Sequence, residues 1–448
     1  MKHRKCKVVI IGAGASGLVT AKYLLQVGNL DAKDVTIIEE TDQVGGIWNR
    51  RGRPMQEQDV KVSIDGIPVK TSMQPVYEDL LTNLPSTLMA FSDMNFPISD
   101  GLFPRQERVL RYLHVYAQRN NLFNCILFNS HVSKCEKTKQ DGCWRVTVDE
   151  QDLQDEILLE ADRLIVCSGH FRKPFVPPVI GLKKFQGKLM HSSAFTKAAD
   201  FKDEVVLIIG ASTSGSEIAG ILAKSKLCKD VIVSVRNLHQ RYKAYLKVAT
   251  ENGAIICPGL QRIEDKNAIL FTNGQRQYPT VILFATGYRY SFPFLDDASV
   301  STKDSWVRKD GYKMQNLYNR LIYTKDPSLV FIGTSNLLIS PFMIFEYQAH
   351  YLAKIVNGTV ALPAYEEMNK EVISRSNEKG QDVLLFKCPS YCNSLAKISG
   401  FQGYWTQIFY PRMFWTASIL ASPHKQLLFG ICSMLLGFTF YTGRLRAF

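Results

Sequence analysis

The sequence has no CxxC motif and no cysteine–histidine cluster of the kind that binds zinc. Its ten cysteines lie at irregular intervals along 448 residues, and the shortest interval, between Cys388 and Cys392, is wider than a CxxC motif. This spacing excludes a zinc finger and a thioredoxin-like redox pair, and it is typical of a reduced, cytosol-facing protein. We therefore expect no metal site.

Low-complexity segments and repeats of fixed period are absent as well. The composition, 46% hydrophobic and 21% charged, is that of an ordinary globular protein, and the length allows about two to three domains. The net charge of +13 favours an anionic partner: nucleic acid, a membrane surface or a phosphate-rich cofactor. The two densest basic stretches, Lys2–Lys7 and Arg236–Lys247, lack the pattern of a nucleic-acid module, so we expect no nucleic-acid partner.

A strand–turn–helix unit begins near the N-terminus. The run VVIIGAGASGLVTAKYLLQVG combines a β-branched strand with helical spacing of apolar residues, and a second strand, Val35–Glu40, follows. In such a unit the first glycine permits the tight turn, the second lets the backbone approach a pyrophosphate, and the third lets helix and strand pack closely. The three glycines, and the acidic residue placed to bind a ribose diol, are Gly12, Gly14, Gly17 and Glu39. A carboxylate there would repel a 2′-phosphate, so the unit is predicted to bind FAD or NAD rather than NADP.

A further pair of glycines follows in the segment QVGGIW. We interpret Gly45 and Gly46, with Trp48 beside them, as a second close approach of the backbone to the same cofactor. The alternative is a plain loop, which glycines also favour.

A second unit, EVVLIIGASTSGSEIAGILA, repeats the order of strand, turn and helix. Its candidate cofactor contacts are Gly210, Ser212, Ser214 and Gly215. The next strand, VIVSVR, ends in Arg236, and we equate this position with Glu39 of the first unit. An arginine there can form a bidentate pair with a 2′-phosphate, which predicts NADP. The alternative is that Arg236 is one more solvated surface charge.

The order of these segments predicts an α/β fold with two Rossmann-like dinucleotide-binding domains. The buried strands Val281–Tyr288 and Ser328–Asn336 and the helix Pro341–Val356 indicate that the chain returns to the first domain after completing the second. We therefore predict an FAD domain in two parts, an inserted NADP domain and a C-terminal hydrophobic helix, with bounds 1–172 and 316–420, 173–315, and 425–448.

The segment FQGKLMHSSAF lies between the two glycine-rich units. It matches the pattern FxGxxxHxxx(Y/F) through Phe185, Gly187, His191 and Phe195. That pattern identifies flavin-containing monooxygenases, and ATGYRYSFPFL and LTNLPSTLMAFSDMNFP resemble two further regions of the family. From Val8 to about Gly358 the sequence resembles this family. It is closer to the short plant, yeast and glucosinolate S-oxygenase-like members than to the long mammalian ones.

The resemblance implies a reaction that depends on NADPH and O₂. NADPH would reduce FAD, and the reduced flavin would add O₂ at carbon 4a to give a hydroperoxide. A soft nucleophile, an amine nitrogen or a thioether sulfur, would then be oxygenated. The resemblance also implies that Asn83 is the catalytic residue, donating a hydrogen bond near that oxygen, whereas the alternative is an ordinary turn residue beside Pro85. His191 is implied to couple the two domains structurally rather than to act in catalysis.

Three other functions stay open at this point. A Baeyer–Villiger enzyme would insert oxygen beside a ketone, although its related motif usually ends in Trp where this sequence has Phe195. An NADPH oxidase would release H₂O₂, and a membrane-bound nucleotide sensor would have no chemistry. The small-molecule substrate and the oligomeric state are also open, and the sequence is compatible with a homo-oligomer.

The C-terminal segment Leu427–Gly443 has 17 residues and no charge. As a helix it would be about 25 Å long, slightly short of the roughly 30 Å hydrocarbon core of a bilayer. Animal members of the family carry a similar anchor, so the resemblance implies attachment to the endoplasmic reticulum membrane with the catalytic body facing the cytosol. The alternatives are insertion in one leaflet and a buried core helix. The aromatic-rich stretch Gly403–Trp415 would pack either at the membrane interface or in the domain core.

Overall fold

The structure, a computed structural model, describes most of the chain. The described residues are 2–50, 62–64, 66–72, 75–78, 80–150, 155–236, 240–295, 304–334, 340–376, 388–403, 405, 407, 409, 411–413 and 416. Within these ranges no helix is both long enough and apolar enough to cross a membrane. The predicted C-terminal helix, 425–448, lies outside the described residues.

Strands and helices alternate in the two glycine-turn units, as the sequence predicts, whereas longer runs of strands lie between and after these units. The strands are β1 (Lys2–Ile11), β2 (Val35–Ile38), β3 (Val62–Ile64), β4 (Ile67–Val69), β5 (Ile126–Leu127), β6 (Ser130–Lys137), β7 (Trp144–Glu150), β8 (Asp155–Val166), β9 (Lys173–Pro174), β10 (Lys188–His191), β11 (Val205–Ile209), β12 (Asp230–Ser234), β13 (Ile255–Cys257), β14 (Leu260–Ile263), β15 (Ile269–Phe271), β16 (Arg276–Gln277), β17 (Val281–Phe284), β18 (Tyr288–Arg289), β19 (Leu317–Tyr318), β20 (Ile322–Tyr323) and β21 (Leu329–Phe331). The helices are α1 (Ala15–Gln26), α2 (Ser86–Met89), α3 (Gln106–Arg119), α4 (Thr213–Ser225), α5 (Gln240–Glu251), α6 (Pro341–Val356), α7 (Tyr365–Ser376) and α8 (Cys388–Ser399).

The first domain is built on a mixed sheet whose path runs β19–β20–β21–β8–β1–β2–β5; β7 also pairs with β8, and β6 pairs with β7. Its centre is parallel, because β1 pairs in parallel with both β2 and β8. Successive side chains of β1 point to opposite faces: Val8 and Ile10 enter the core formed with α1, α3 and α6, whereas Val9 and Ile11 enter a second core with β6–β8. Both faces are covered, which explains the continuous apolar run in the sequence.

The inserted domain has a parallel sheet in the order β10–β17–β11–β12–β13, with α4 and α5 packed together beside it. The chain enters this domain through β9 and leaves it through β18. These two strands pair antiparallel, Tyr288 with Pro174 and Arg289 with Lys173, and we call the pair the linker ribbon. The two ends of the insertion are therefore held together at one place.

The chain that follows the linker ribbon packs with the first domain. We expected the inserted domain to continue to residue 315. Phe292, Leu295 and Trp306 are instead buried with β6–β8 side chains in the second core of the first domain, and Leu295 forms a β-bridge with Cys135. Apolar residues of either domain look alike in sequence, so the pattern alone does not locate this return.

The aromatic-rich stretch near the C-terminus packs in the domain core as far as it is described. Its residues buried beside α1 and α6 are Trp405, Phe409 and Met413. Arg412 donates hydrogen bonds to the carbonyl oxygens of Ala90 and Phe91 over 2.8 and 3.0 Å. This part of the chain is therefore tied to the segment that follows α2.

Candidate active site

Two glycines close the first turn against the sheet. Gly12 has a φ of +101°, and its N–H donates to the carbonyl of Ile38 over 2.8 Å. A Cβ on Gly12 would lie 2.9 Å from the Cys167 carbonyl oxygen, and a Cβ on Gly17 would lie 1.9 Å from the Gly12 carbonyl oxygen. Any side chain at either position would therefore force the backbone apart, which is the packing role predicted for Gly17.

The QVGGIW loop lies directly against this first turn. The N–H of Gly45 donates to the carbonyl of Ala13 over 3.0 Å, and a Cβ on Gly46 would lie 3.1 Å from the Cα of Gly14. Gly45 has a φ of +131°, and a Cβ there would lie 2.4 Å from Cδ1 of Leu110 on α3. The structure thus brings two stretches of bare backbone together.

Glu39, which follows β2, is 7% exposed and lies on the wall of a cavity. Its Oε2 accepts from the N–H of Ala13 at 2.8 Å, and its Oε1 accepts from the N–H and hydroxyl of Thr41 at 3.0 and 2.8 Å. Burial raises the pKa of this carboxyl, and the hydrogen bonds oppose that rise. A carboxylate offers about four acceptor positions, so Glu39 is fixed in place yet keeps room for a further donor.

The second turn repeats the geometry of the first. Gly210 has a φ of +107°, and its N–H donates to the carbonyl of Ser234 over 3.1 Å. A Cβ on Gly215 would lie 2.0 Å from the Gly210 carbonyl oxygen. Ser212 takes the N-cap position of α4, where the first unit has Gly14 at the start of α1.

Hydrogen-bond register corrects the predicted match between Arg236 and Glu39. In the first unit the N–H of Gly12 donates to the carbonyl of the residue before Glu39. In the second unit the N–H of Gly210 donates to the carbonyl of the residue before Val235, so Glu39 and Val235 are equivalent. Arg236 is therefore equivalent to Glu40. The number of residues between the third glycine and the end of the following strand differs between the two units. Counting residues along the sequence therefore does not show which positions of the two strands are equivalent. Val235 is buried and apolar, whereas Arg236 is exposed and lines the cavity.

The residues present fit two dinucleotides. Neither α1 nor α4 has a side-chain hydrogen bond at its N-cap, so backbone N–H groups and the positive ends of both helix dipoles remain available at the glycine turns. The hydroxyl of Ser168 is buried, belongs to a cavity-lining residue and has no partner among the described residues. Bare glycine backbone, uncapped helix starts and an unsatisfied hydroxyl suit a pyrophosphate cofactor, FAD at the first turn and NADP at the second.

One continuous cavity of about 1840 Å³ joins the two turns. The predicted site residues that line it are Gly12, Gly14, Glu39, Gly45, Gly46, Trp48, Asn83, Gly210, Ser212, Ser214 and Arg236. Gly17 and Gly215 are not among its lining residues, in keeping with their packing contacts. The structure therefore gathers residues that are far apart in sequence around a single space.

Asn83 contributes an exposed side chain to the wall of this cavity. Its turn is held on both sides: Leu81 forms a β-bridge with Arg105, and the Thr82 hydroxyl donates to the carbonyl of Leu84 over 2.9 Å. The carboxamide has two donor hydrogens to offer a ligand.

His191 is fully buried and lies off the cavity wall. Its Nε2 lies 3.0 Å from the carbonyl oxygen of Gly287 and its Nδ1 accepts from the N–H of Ser193 over 3.1 Å, which assigns the Nε2–H tautomer. Its backbone N–H donates to the carbonyl of Lys70 over 2.8 Å. Burial lowers the pKa of the imidazole to about 4, so the ring is neutral near pH 7. This geometry fits the coupling role implied by the resemblance.

Sequence reasoning missed several cavity residues. His170 follows β8 and packs against Phe171, with ring centroids 4.0 Å apart and ring planes inclined by 42°, and burial lowers the pKa of His170 to about 4. At the rim, Glu40 accepts from Arg172 over 3.1 Å and lies 2.9 Å from Nδ1 of His131. The position of His170 after a parallel strand was a usable signal, because ligands collect at that edge of a sheet. The Glu40 contacts join distant segments and leave no local pattern.

This arrangement defines a flavoprotein oxidoreductase in which two dinucleotide sites open into one cavity. The sequence profile of the family described as flavin-binding monooxygenase-like matches residues 5–240 and 252–436. The flavin-containing monooxygenase FMO GS-OX-like 2 of Arabidopsis thaliana is 32% identical over 378 residues, covering 81% of this chain and 76% of that protein. The chain therefore belongs to the flavin-binding monooxygenase family, and it is an FAD-dependent monooxygenase that uses NADPH.

Two solved structures share the fold. The S-allyl-L-cysteine S-oxygenase from Allium sativum is similar over 97% of this chain and 99% of its own, with a TM-score of 0.76 and 24% identity. Tmm from Pelagibacter sp. strain HTCC7211 is similar over 88% of this chain and 86% of its own, with a TM-score of 0.71 and 23% identity. At this level of identity the comparison concerns the fold alone.

Proposed function

We propose that this monooxygenase oxygenates small soft nucleophiles, the sulfur of thioethers first and the nitrogen of amines second. The observation that carries the proposal is the single cavity, which joins both glycine turns and Asn83. Sulfur is placed first because the sequence resembles the glucosinolate S-oxygenase-like members of the family and because relatives that are 32% identical carry FMO GS-OX names.

The first turn supplies the permanent cofactor site. Its bare backbone at Gly12 and Gly14 would accept the FAD pyrophosphate, and Glu39 would accept a hydrogen bond from the ribose. Bound FAD supplies the acceptance of hydride from NADPH and the activation of O₂.

The second turn supplies the exchangeable site. The N–H groups at the start of α4 would hold the NADPH pyrophosphate, and the guanidinium of Arg236 would bind the 2′-phosphate. No acidic side chain occupies the Val235 position that corresponds to Glu39, so the 2′-phosphate meets a cation without a neighbouring carboxylate from the same strand end.

Asn83 would donate a hydrogen bond to the oxygen being transferred. Apolar side chains on the same cavity wall, Met89, Phe342 and Phe345, would limit the entry of water beside it. His170 is neutral near pH 7, so it adds no charge to the wall at which an uncharged sulfur or nitrogen must react.

The experiment that tests this function measures three quantities in one reaction. FAD-loaded protein is mixed with NADPH, O₂ and a panel of thioethers, tertiary amines and ketones, and NADPH consumption, H₂O₂ release and oxygenated product are followed together. We expect sulfoxide to form in step with NADPH use. NADPH use that yields only H₂O₂ would support an oxidase, and formation of esters from ketones would support a Baeyer–Villiger enzyme.

We also propose that the uncharged segment Leu427–Gly443 anchors the protein in the endoplasmic reticulum membrane with the catalytic domains facing the cytosol. The support is the length and apolar character of the segment in the sequence. The test compares the full chain with a chain that ends at Gln426, by fractionating cells. We expect the full chain with the membranes and the shortened chain in the supernatant, and equal distribution of the two would contradict the anchor.

A further inference from the structure

Arg289 lies on the linker ribbon and lines the cavity. Its guanidinium carbon lies over the ring of Phe175, 3.5 Å from the ring centroid, and 4.8 Å from the ring centroid of Tyr312. The N–H of Phe175 donates to the carbonyl of Gly287 over 2.8 Å, which fixes the first ring beside the ribbon. The guanidinium is therefore held in place by stacking rather than by a charge partner.

The N–H donors of the Arg289 guanidinium have no acceptor among the described residues. A guanidinium carries five N–H donors, and the side chain of Arg289 forms neither a hydrogen bond nor an ion pair with any residue that the structure describes. The nearby carboxylate of Asp310 is already engaged, because its two oxygens accept from Nε and Nη2 of Arg308 over 2.8 and 2.6 Å. Partial burial lowers the pKa of Arg289, although an arginine stays protonated in proteins. A fixed cation with free donors thus faces the cavity.

A second positively charged residue, Lys173, lies opposite Arg289 on the linker ribbon. Lys173 is in register with Arg289 in the antiparallel pair, and directly opposed residues of such a pair share one face of the ribbon. Like charges in this position destabilise the pairing. Lys173 is exposed and forms no ion pair within the described part of the chain. The linker ribbon therefore carries positive charge without an internal counter-ion.

We propose that Arg289 binds an anionic group, a carboxylate or a phosphate, of a ligand in the cavity. A planar guanidinium can bind either group through two parallel hydrogen bonds, and stacking on Phe175 and Tyr312 prepares it for this contact. The anion has two sources: the carboxylate of an amino-acid-like substrate, which rests on the proposed function, or a phosphate of NADP. Because Arg289 is on the ribbon that connects the domains, this contact would tie the ligand to their junction.

The experiment measures dissociation constants on oxidised, FAD-loaded protein without turnover. The probes are NADP⁺, N-acetyl-S-methylcysteine and the carboxamide of N-acetyl-S-methylcysteine, which differs from the second probe only in lacking the carboxylate charge. The variants are Arg289→Gln, Arg289→Lys and the matched control Arg276→Gln, which removes an arginine that lies off the cavity wall and donates to Glu264 over 2.9 Å. Because no constant depends on catalysis, an inactive enzyme would contradict the proposed function without affecting this test.

Two results support the proposal and identify the source of the anion. If the anion belongs to the substrate, wild-type protein binds the carboxylate probe about ten- to hundredfold more tightly than the carboxamide probe. Arg289→Gln then binds the two probes with equal dissociation constants. If it belongs to NADP, Arg289→Gln raises the NADP⁺ constant by about the same factor. In either case the dissociation constants of Arg289→Lys lie between those of wild type and Arg289→Gln, and those of Arg276→Gln stay at the wild-type values.

One combined result overturns the proposal: Arg289→Gln binds NADP⁺ as wild type does, and the carboxylate and the carboxamide show no difference that depends on Arg289. A merely structural role would lower the thermal midpoint of Arg289→Gln while leaving these binding ratios unchanged. The midpoint and the FAD content of each variant are therefore measured alongside.

Discussion

The glycine turns at Gly12 and Gly210 have nearly the same backbone, with φ values of +101° and +107°, but the strands that follow them end in opposite charge. The first unit places a buried Glu39 and the paired Glu40 at that end, whereas the second places apolar Val235 and exposed Arg236. Both units can hold a pyrophosphate, because glycine backbone and a helix start are common to both. The preference of each unit for its cofactor therefore depends on the two residues that follow its second strand, Glu39 and Glu40 in the first unit and Val235 and Arg236 in the second.

The charged residues at the two strand ends also differ in how deeply they are buried. The three hydrogen bonds to Glu39 hold it within the wall, as suits a cofactor that stays bound. Arg236 is exposed at the cavity, as suits a ligand that must enter and leave with each turnover. This contrast between the units predicts four effects, which decrease in size from the glycines of the turns to the junction between the units.

The largest effect is expected from placing alanine at the third glycine of each unit. In Gly17→Ala or Gly215→Ala the new Cβ would lie 1.9 or 2.0 Å from a backbone oxygen, so the turn must open. We expect Gly17→Ala to be purified with less than about a tenth of its FAD, and Gly215→Ala to keep FAD but lose NADP⁺ binding, since each turn holds one cofactor. Flavin absorbance per chain and NADP⁺ titration measure this.

The control for both variants is Gly220→Ala in α4, where the nearest atom to the new Cβ is a side-chain carbon of Val248 at 3.4 Å. This variant should keep both cofactors. Loss of the same cofactor from Gly17→Ala and Gly215→Ala would contradict the division of labour between the units.

The second effect concerns a residue that belongs to neither turn. We expect Asn83→Ala to lower oxygenated product per NADPH by about a hundredfold, because a hydrogen-bond donor to the reacting oxygen is lost, while FAD and NADP⁺ affinities stay the same. Product and H₂O₂ yields are measured together. Asn95→Ala is the control, because Asn95 is exposed and is not a cavity-lining residue. An Asn83→Ala enzyme with wild-type coupling would assign Asn83 to an ordinary turn.

The third effect tests the charge beyond the second turn. Arg236→Gln should weaken NADPH binding about ten- to hundredfold and leave NADH binding unchanged, because only NADPH carries the 2′-phosphate. Dissociation constants for both nucleotides measure this. The control is Arg262→Gln, since Arg262 already donates to Glu264 over 2.6 Å. Equal losses for NADPH and NADH would place Arg236 away from the 2′-phosphate.

The smallest effect concerns the junction between the two units. Burial lowers the pKa of His191 from 6.5 to about 4, so the unfolded chain binds more protons between these pH values and the free energy of unfolding falls as pH falls. The contribution of His191 amounts to about 0.7 kcal/mol between pH 7 and pH 6. His191→Gln should remove it, since a neutral amide does not titrate.

Thermal or denaturant unfolding at the two pH values measures the change. His350, whose pKa is also lowered to about 4 by burial, is a buried residue of α6 in the first domain and remains as an internal reference. A pH dependence that is identical in wild type and His191→Gln would show that His191 is not buried as a neutral ring.

Much of the fold could be predicted from local patterns. The spacing of Gly12, Gly14 and Gly17 after a β-branched strand predicts the turn, because close packing of helix and strand leaves no room for a side chain. The same reasoning succeeds at Gly215. Local sequence also indicates that the insertion begins at residue 173, because a buried strand and a glycine turn precede it, but it places the end at residue 315, beyond the linker ribbon.

Local patterns could not predict which positions of the two units are equivalent, nor which segments distant in sequence are in contact. The equivalence of Arg236 with Glu40 depends on which carbonyl the turn glycine bonds to. The return of Phe292 and Trp306 to the first domain depends on the shape of its core. Arg289 is conspicuous only once Phe175 and Tyr312 are beside it. Such contacts join segments that carry no shared signal in sequence.

Two units with similar turns and opposite charge serve one cavity, and reduction of the flavin by a nicotinamide nucleotide depends on both of them. The decisive experiment mixes FAD-loaded protein with NADPH or with NADH in the absence of O₂ and follows loss of the visible absorbance of oxidised flavin. We expect rapid bleaching by NADPH, much slower bleaching by NADH at the same concentration, and loss of that difference in Arg236→Gln. Protein that binds FAD but is never bleached by NADPH would contradict this division of the cofactors between the two units.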